Sequence, residues 1–313
     1  MIVTVTPGAM IGHFLRLESA ALPASISLNE AVTVATGKGI NVSRTVKAFA
    51  APTVALGCAA GWTGKRLEQL MQEEGIPFEA VEAQGENRTG IYIMDPKGTL
   101  LHEVVDERFS AGPRTEDDLL ALIRRRLAGA RYVACSGRIP PGFSQGFFKK
   151  LVDLCRDANV PCLIDARGPA LRWALGSRPF MIKPNEQELA DFAGETPPSD
   201  LEALPDYCRA RFDIGGAGPE NVLLSLGPRG AILITSREAW HVCVDEQVTG
   251  NPIGCGDTLV GGTLAALLSG SELVEAVRRG VAAATSNLAT DSPGAVPLDL
   301  YRSYLERTRV RIL

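Results

Sequence analysis

The amino-acid sequence predicts an α/β fold in which a mainly parallel sheet carries helices on both faces and a small β-sheet projects as a lid. Short β-branched runs alternate with longer amphipathic ones along most of the chain, the pattern of parallel strands joined by crossover helices. Two regions, about 14–35 and 87–105, break that rhythm with alternating segments that suit short antiparallel strands. Glycine-rich turns stand where strand-like runs give way to helix-like ones, the junctions at which such sheets bind ligands.

In chain order, the main-sheet strands are "IVTVT" (2–6), "TVALGCAA" (53–60), "RYVACSG" (131–137), "PCLIDA" (161–166), "FMIKPN" (180–185) and "NVLLSLG" (221–227). The interleaved helices are "NVSRTVKAFA", "GKRLEQLMQEEG", "TEDDLLALIRRRLAGA", "SQGFFKKLVDLCRDA" and "SDLEALPDYCRARF", each with apolar residues on one face. The lid segments are "FLRLES", "AVTVA", "GIYIMD" and "TLLHEVV", with "DPKG" (95–98) as a hairpin turn. A flap of this kind suits covering a site or pairing with a second copy of the chain. "PGAVP" (293–297) reads as a turn before a final helix.

With 313 residues, the chain is long enough for one large α/β domain or two smaller ones. A formal charge of −4 gives no electrostatic argument for a nucleic-acid or anionic-membrane partner. The apolar stretches at 259–268 and 281–284 are too short to span a bilayer, and "MIVTVTPGAMIGHF" lacks the basic start and apolar core of a signal peptide. Seven scattered cysteines without a C-x-x-C pair read as reduced residues in or near the core, which places the expected compartment in the cytoplasm.

"NPIGCGDTLVGGTLAALL" (251–268) sets two glycines and a carboxylate before a long apolar helical run. One explanation is a loop with Asp257 as helix cap. The chemical alternative is that the turn gathers amide groups into an anion site at a helix N-terminus, with Asp257 at its edge to take a proton from an attacking hydroxyl. In "ATGKGINVSRTVKAFA" (35–50), Gly37 and Gly39 would bring backbone close to a ligand, Lys38 offers charge and Asn41 an amide; the alternative is a loop with a solvated lysine. Neither stretch completes G-x-x-x-x-G-K-[ST] or G-x-G-x-x-G, so the two commonest nucleotide motifs are absent.

In "MIKPNEQELA" (181–190), Asn185 and Glu188 suit either a capping box or the water shell of Mg²⁺. "SLGPRGA" (225–231) reads as strand, tight turn and strand, and "CSGRIPPG" (135–142) ends a strand at the ligand-binding edge. Arg88 suits a phosphate fork or an ordinary surface position. His13, His102 and His241 lack metal-site spacing.

In order and spacing, "TGKGINVSR", "SGRIPPG", "IKPNEQEL", "LLSLGPRGA" and "NPIGCGDTLVGG" resemble the motif series of the PfkB (ribokinase-like) carbohydrate kinases. They look most like the phosphosugar branch containing 1-phosphofructokinase and tagatose-6-phosphate kinase, over Met1 to about residue 290. The resemblance implies a single ribokinase-like domain, 1–313, with its β lid inserted. It also implies ATP and Mg²⁺ as cosubstrates, a sugar-phosphate acceptor and homodimers through the lid. By position, Asp257 would be the base and the amides of Gly254, Cys255 and Gly256 the anion hole. Asn185 and Glu188 would organise Mg²⁺ with Lys183 near the phosphates, while Ser225, Gly227 and Gly230 would line the nucleotide site and Asn287 the adenine pocket. Gly37, Lys38 and Asn41 would touch the sugar beside the "SGR" of Ser136, Gly137 and Arg138, and Lys38 with Arg88 would hold its phosphate.

Departures fall in the sugar half. Gly12 stands where the branch carries an Asp that binds sugar hydroxyls, Gly8 replaces Asn, Thr36 replaces Gly, and "HEVVDE" (102–107) and Arg138 are also unusual. Cys255 replaces an Ala, a small change. The expectation is an ATP-dependent sugar-phosphate kinase with altered sugar preference; the alternative is a kinase-like protein that binds a sugar phosphate without useful catalysis. A nicotinamide dehydrogenase is disfavoured by the failed fingerprint.

Overall fold

Strand β1 (Ile2–Thr6) is buried along its whole length, as five successive β-branched residues require when both sheet faces are covered. In the computed structural model, which describes residues 1–18, 31–106, 109–166 and 168–313, β1 leads to β2 (Met10–Arg16), β3 (Val32–Thr36) and α1 (Lys38–Ala48). Then come β4 (Thr53–Ala59), α2 (Gly61–Glu73), β5 (Phe78–Glu82), β6 (Arg88–Met94), β7 (Leu100–Val105), α3 (Thr115–Leu127), β8 (Tyr132–Ser136) and α4 (Phe147–Asp157). The chain continues through β9 (Cys162–Asp165), α5 (Pro169–Leu175), β10 (Met181–Ile182), α6 (Glu186–Ala193), α7 (Leu204–Phe212), β11 (Asn221–Ser225), β12 (Ala231–Ile234) and β13 (Ala239–Val244). It ends with α8 (Cys255–Leu268), α9 (Leu273–Asn287), α10 (Leu298–Arg307) and β14 (Thr308–Ile312).

Ten strands form the main sheet in the order β14-β13-β12-β11-β10-β9-β8-β1-β4-β5. Pairing is parallel from β5 to β11 and antiparallel from β11 to β14. Side chains alternate between two cores: Val3, Val5, Val133 and Cys135 face one, while Ile2 and Ala134 face that of α1, α8 and α9. Helices therefore cover both faces, as expected. The strand expected over 180–185 shortens to Met181–Ile182, because Pro184 has no N–H for the ladder.

A separate sheet, β3-β2-β6-β7, forms the lid. It begins at Met10, earlier than the expected start near 14; residues 19–30 of that expected segment lie outside the described residues. The "DPKG" turn forms, with Asp95 Oδ1 accepting from the amides of Lys97 and Thr99, both at 2.8 Å. On one face Met10, Phe14, Tyr92 and Met94 form a buried cluster, with Phe14 and Tyr92 stacked at 4.5 Å between centroids. Gly12 and Gly90 are register partners on this face. A Cβ at Gly12 would meet Phe14 at 2.8 Å and Thr36 at 2.9 Å, so the space an Asp would need is filled. Among the described residues, no helix is long and apolar enough to cross a membrane.

Candidate active site

The ends of β1, β8, β9 and β10, the N-termini of α1 and α8 and the lid enclose a cleft of about 1050 Å³. Its floor is the turn into α8. Gly254 takes φ 85°, and a Cβ there would lie 2.6 Å from Pro293, so only glycine fits the turn. The Cys255 amide donates to the Pro252 carbonyl at 3.2 Å. This corrects part of the expected anion hole: within this turn, the amides of Gly254, Gly256 and Asp257 are the ones left without a protein acceptor. They stand at the positive end of a fourteen-residue helix.

Asp257 is 7% exposed and accepts from Asn41 Nδ2 at 2.7 Å. Burial, reinforced by the Asp165 carboxylate and opposed by Lys38, Asn41 and Lys183, pushes its pKa up to about 6. Asp165, at the end of β9, receives Lys38 Nζ at 2.8 Å and has Lys183 Nζ 3.5 Å from its other oxygen. Burial alone would raise Asp165; the two ammonium groups outweigh it and hold the carboxyl below its usual range. Burial would likewise lower Lys38, but Asp165, Asp257 and Glu188 hold its pKa above the ordinary lysine value. Lys38, expected with Arg88 at the sugar phosphate, lines the same cleft as Arg88 and is paired there with Asp165.

Asn185 and Glu188 form a complete capping box: Asn185 Oδ1 accepts from the Glu188 amide at 2.8 Å, and Glu188 Oε2 from the Asn185 amide at 3.0 Å. The second Glu188 oxygen is not used by the cap and lies 3.7 Å from Lys38 Nζ. Cap and site are therefore compatible. No group of three or more metal-ligating side chains occurs among the described residues.

The other expected residues separate into two ends. At one end Ser136, Gly137 and Arg138 line the cleft together with Arg88, the first residue of lid strand β6; a Cβ at Gly8 would lie 3.8 Å from Arg88 Nη1 and 3.9 Å from the Arg138 carbonyl. Nearby, burial and the Glu103 carboxylate push the Tyr92 hydroxyl up to about 12. At the other end Ser225, Gly227 and Gly230 line the cleft. Gly230 has φ 83° and no room for a Cβ against Val242.

Gly37 lines the cleft, but with φ 126° it chiefly seats α1 against β1: a Cβ would lie 2.6 Å from Thr6. Gly39 packs on Val5 and Thr6 in the same way. Asn287, expected at the adenine, is fully buried and outside the cleft lining. Its amide donates to Thr290, Ser292 and Ala295 while its oxygen accepts from the Cys255 thiol at 3.7 Å, so it braces the loop after α9. Asp165 was missed by motif reasoning; its signal was a lone carboxylate ending the apolar strand "CLID".

Such a sheet, closed by a lid and ending at an anion-binding helix turn with a buried acid and two lysines, is the architecture of an ATP-dependent carbohydrate kinase. The model of the pfkB family carbohydrate kinases matches residues 8–298, and the chain belongs to that family. A 1-phosphofructokinase from Bacillus subtilis is 28% identical over 297 residues, 94% of each chain. An ATP-dependent 6-phosphofructokinase isozyme 2 from Mycobacterium tuberculosis is 28% identical over 271 residues, 86% of this chain and 78% of its own. A mutant phosphofructokinase-2 from Escherichia coli superimposes with a TM-score of 0.87 over 97% of this chain and 98% of its own, at 23% identity. The fold is the expected ribokinase-like one.

Proposed function

We propose that this kinase transfers the γ-phosphoryl group of ATP to a hydroxyl of a sugar phosphate, with Asp257 as general base. The observation that carries this is the placement of a buried carboxylate with a pKa near neutrality beside open helix amides, facing Lys38 and Lys183 in one cleft. Asp257 takes the hydroxyl proton as that oxygen attacks phosphorus; the new O–P bond forms, the bond to the bridging oxygen breaks and ADP leaves. The open amides and the lysines stabilise charge on the transferring group. The names of the 1-phosphofructokinase and 6-phosphofructokinase relatives support a ketose phosphate as acceptor.

Mg²⁺ fits the donor set. Asn185 and Glu188 supply hard oxygen chemistry at too few positions to strip its waters, so they would hold it through water. The bound ion would neutralise phosphate charge. Ser225, Gly227 and Gly230 suit the nucleotide end; Ser136, Gly137, Arg88 and Arg138 suit the sugar-phosphate end.

Residues 1–313 act as one kinase domain with its lid inserted. Ile91 and Val104, register partners exposed on the outer lid face, suit pairing with a second copy. Val104→Asp should then give monomers in sedimentation. Seven free thiols, five of them buried, fit a cytoplasmic setting.

A second reading has one observation in its favour: position 12 itself supplies no carboxylate, and Phe14 and Thr36 fill the space beside it. This suits a sugar-phosphate binder without useful turnover. The test is ADP release from Mg-ATP with fructose 1-phosphate, fructose 6-phosphate, tagatose 6-phosphate and unphosphorylated ketoses, for the wild type and Asp257→Asn. Sugar-dependent turnover lost in Asp257→Asn supports the kinase; binding without turnover supports the binder.

A further inference from the structure

We propose that Arg44, which does not touch the cleft, is the positioning residue that fixes both the orientation of Asn41 against Asp257 and the loop behind the anion-binding turn. This rests on Asp257 as the base.

Arg44 lies one turn after Asn41 on α1 and is 8% exposed. Its guanidinium is spent on four partners. Glu74 holds it as a fork, with Nε to Oε2 at 2.6 Å and Nη2 to Oε1 at 2.8 Å. Nη2 also donates to the Ala35 carbonyl, and Nη1 donates to the Pro293 carbonyl and, at 3.1 Å, to Asn41 Oδ1. Only a planar group with five donors can serve all four at once.

The bond to Asn41 decides which way its amide points. The oxygen and nitrogen ends of a carboxamide have nearly the same shape, so packing alone does not distinguish them. Thr36 Oγ1 donates to Asn41 Oδ1 at 3.0 Å and Arg44 adds a charged donor. Flipping the amide would set its NH₂ against a cation and its oxygen against the Asp257 carboxylate. The held orientation directs Asn41 Nδ2 onto Asp257 Oδ2 and leaves the other Asp257 oxygen, Oδ1, for an incoming hydroxyl.

The bond to Pro293 acts on the other half of the site. A Cβ at Gly294 would lie 2.3 Å from the Asn41 carbonyl, and one at Gly254 2.6 Å from Pro293, so the 293–294 loop is wedged between α1 and the turn into α8. Thr45 Oγ1 donates to the Gly294 carbonyl at 2.8 Å, beside the Arg44 anchor. Displacing this loop would move Gly254, and with it the open amides.

The experiment is a double-mutant cycle of Arg44→Met and Asn41→Ala, read as kcat, sugar-phosphate KM, the acid limb of kcat/KM and Tm. Arg44→Met should lower kcat roughly 10- to 100-fold, the scale of a misplaced catalytic group, with a smaller change in KM. Its acid limb should move to higher pH, because the Asn41 hydrogen bond that favours ionised Asp257 is loosened. In the Asn41→Ala background, Arg44→Met should have a much smaller effect. Glu74→Gln and Thr36→Val, milder changes at the same network, should move the acid limb in the same direction and keep the test alive if Arg44→Met does not fold. Additive effects with an unmoved acid limb would overturn the proposal and leave Arg44 a purely structural residue. Full turnover by Asp257→Asn would remove the base itself, and both proposals with it.

Discussion

At the floor of the cleft, Asp165, Asp257 and Glu188 face Lys38 and Lys183 among buried polar partners. Across from them the lid presents Met10, Phe14, Tyr92 and Met94 around the bare glycine pair Gly12 and Gly90. The floor is held together by charge: Asp165 pairs with both lysines, so removing it leaves Lys183 unpaired in a poorly solvated place. The lid is held by shape, and adding volume is what disturbs it. Floor and lid are thus exposed to different kinds of substitution.

The largest effect expected from breaking the floor is that of Asp257→Asn. Loss of a general base should lower kcat by about 10²–10⁴-fold, while thermal melts above pH 6 should show a more stable protein. The folded pKa of Asp257 is raised to about 6 from its ordinary value near 4. Between those values the native state holds more protons than the unfolded chain, so stability falls across that window and stays lower above it. Removing the carboxylate should restore about 1–3 kcal/mol.

Next is Asp165→Asn, which strands Lys183, 4% exposed, and frees Lys38. Denaturant unfolding should show a loss of about 3–5 kcal/mol, the scale for breaking a buried pair. Retention of wild-type stability would mean that the floor is not charge-coupled.

The lid predicts the opposite kind of failure. Gly12→Asp introduces a side chain where Phe14 and Thr36 already sit, and should destabilise by about 1–3 kcal/mol. Combining it with Phe14→Ala should relieve the crowding, and comparing sugar-phosphate KM values of the pair would show whether volume at this position sets acceptor preference. A smaller readout is the pH profile: kcat/KM should fall about tenfold per pH unit below an acid limb near 6. Smallest is Cys255→Ala, expected to leave kcat essentially unchanged. Burial and Asp257 push that thiol up to about 12, so thiol reagents at neutral pH should find no fast-reacting group there.

The parallel strands and their helices were legible because buried β-branched runs and amphipathic stretches write their period directly into the sequence. β5, β13 and β14 were not, for they carry partly exposed polar residues; β14, with Arg309 and Arg311, reads like the tail of the helix before it. At the site, glycine turns and Asp257 announced themselves locally. Asn185 and Glu188 did so doubly, since their spacing suits a cap and a metal shell alike. Asp165 and Arg44 were silent: a strand-ending acid and a helical arginine acquire meaning only from partners far along the chain. Asn287 was assigned the adenine pocket by motif position, and its contacts with Cys255 and the loop after α9 put it outside the cleft lining.

Those distant partners carry a kinetic consequence. Lys38 meets Asp165 across 127 residues, Asn41 meets Asp257 across 216 and Thr45 meets Gly294 across 249. Contacts of such separation close late, after local helices and hairpins have formed. A nascent polypeptide stopped before α8 therefore holds Lys38, Lys183 and Asp165 without Asp257 to face, and in refolding the return of turnover should lag behind the return of helical signal, timing the last closure of the chain.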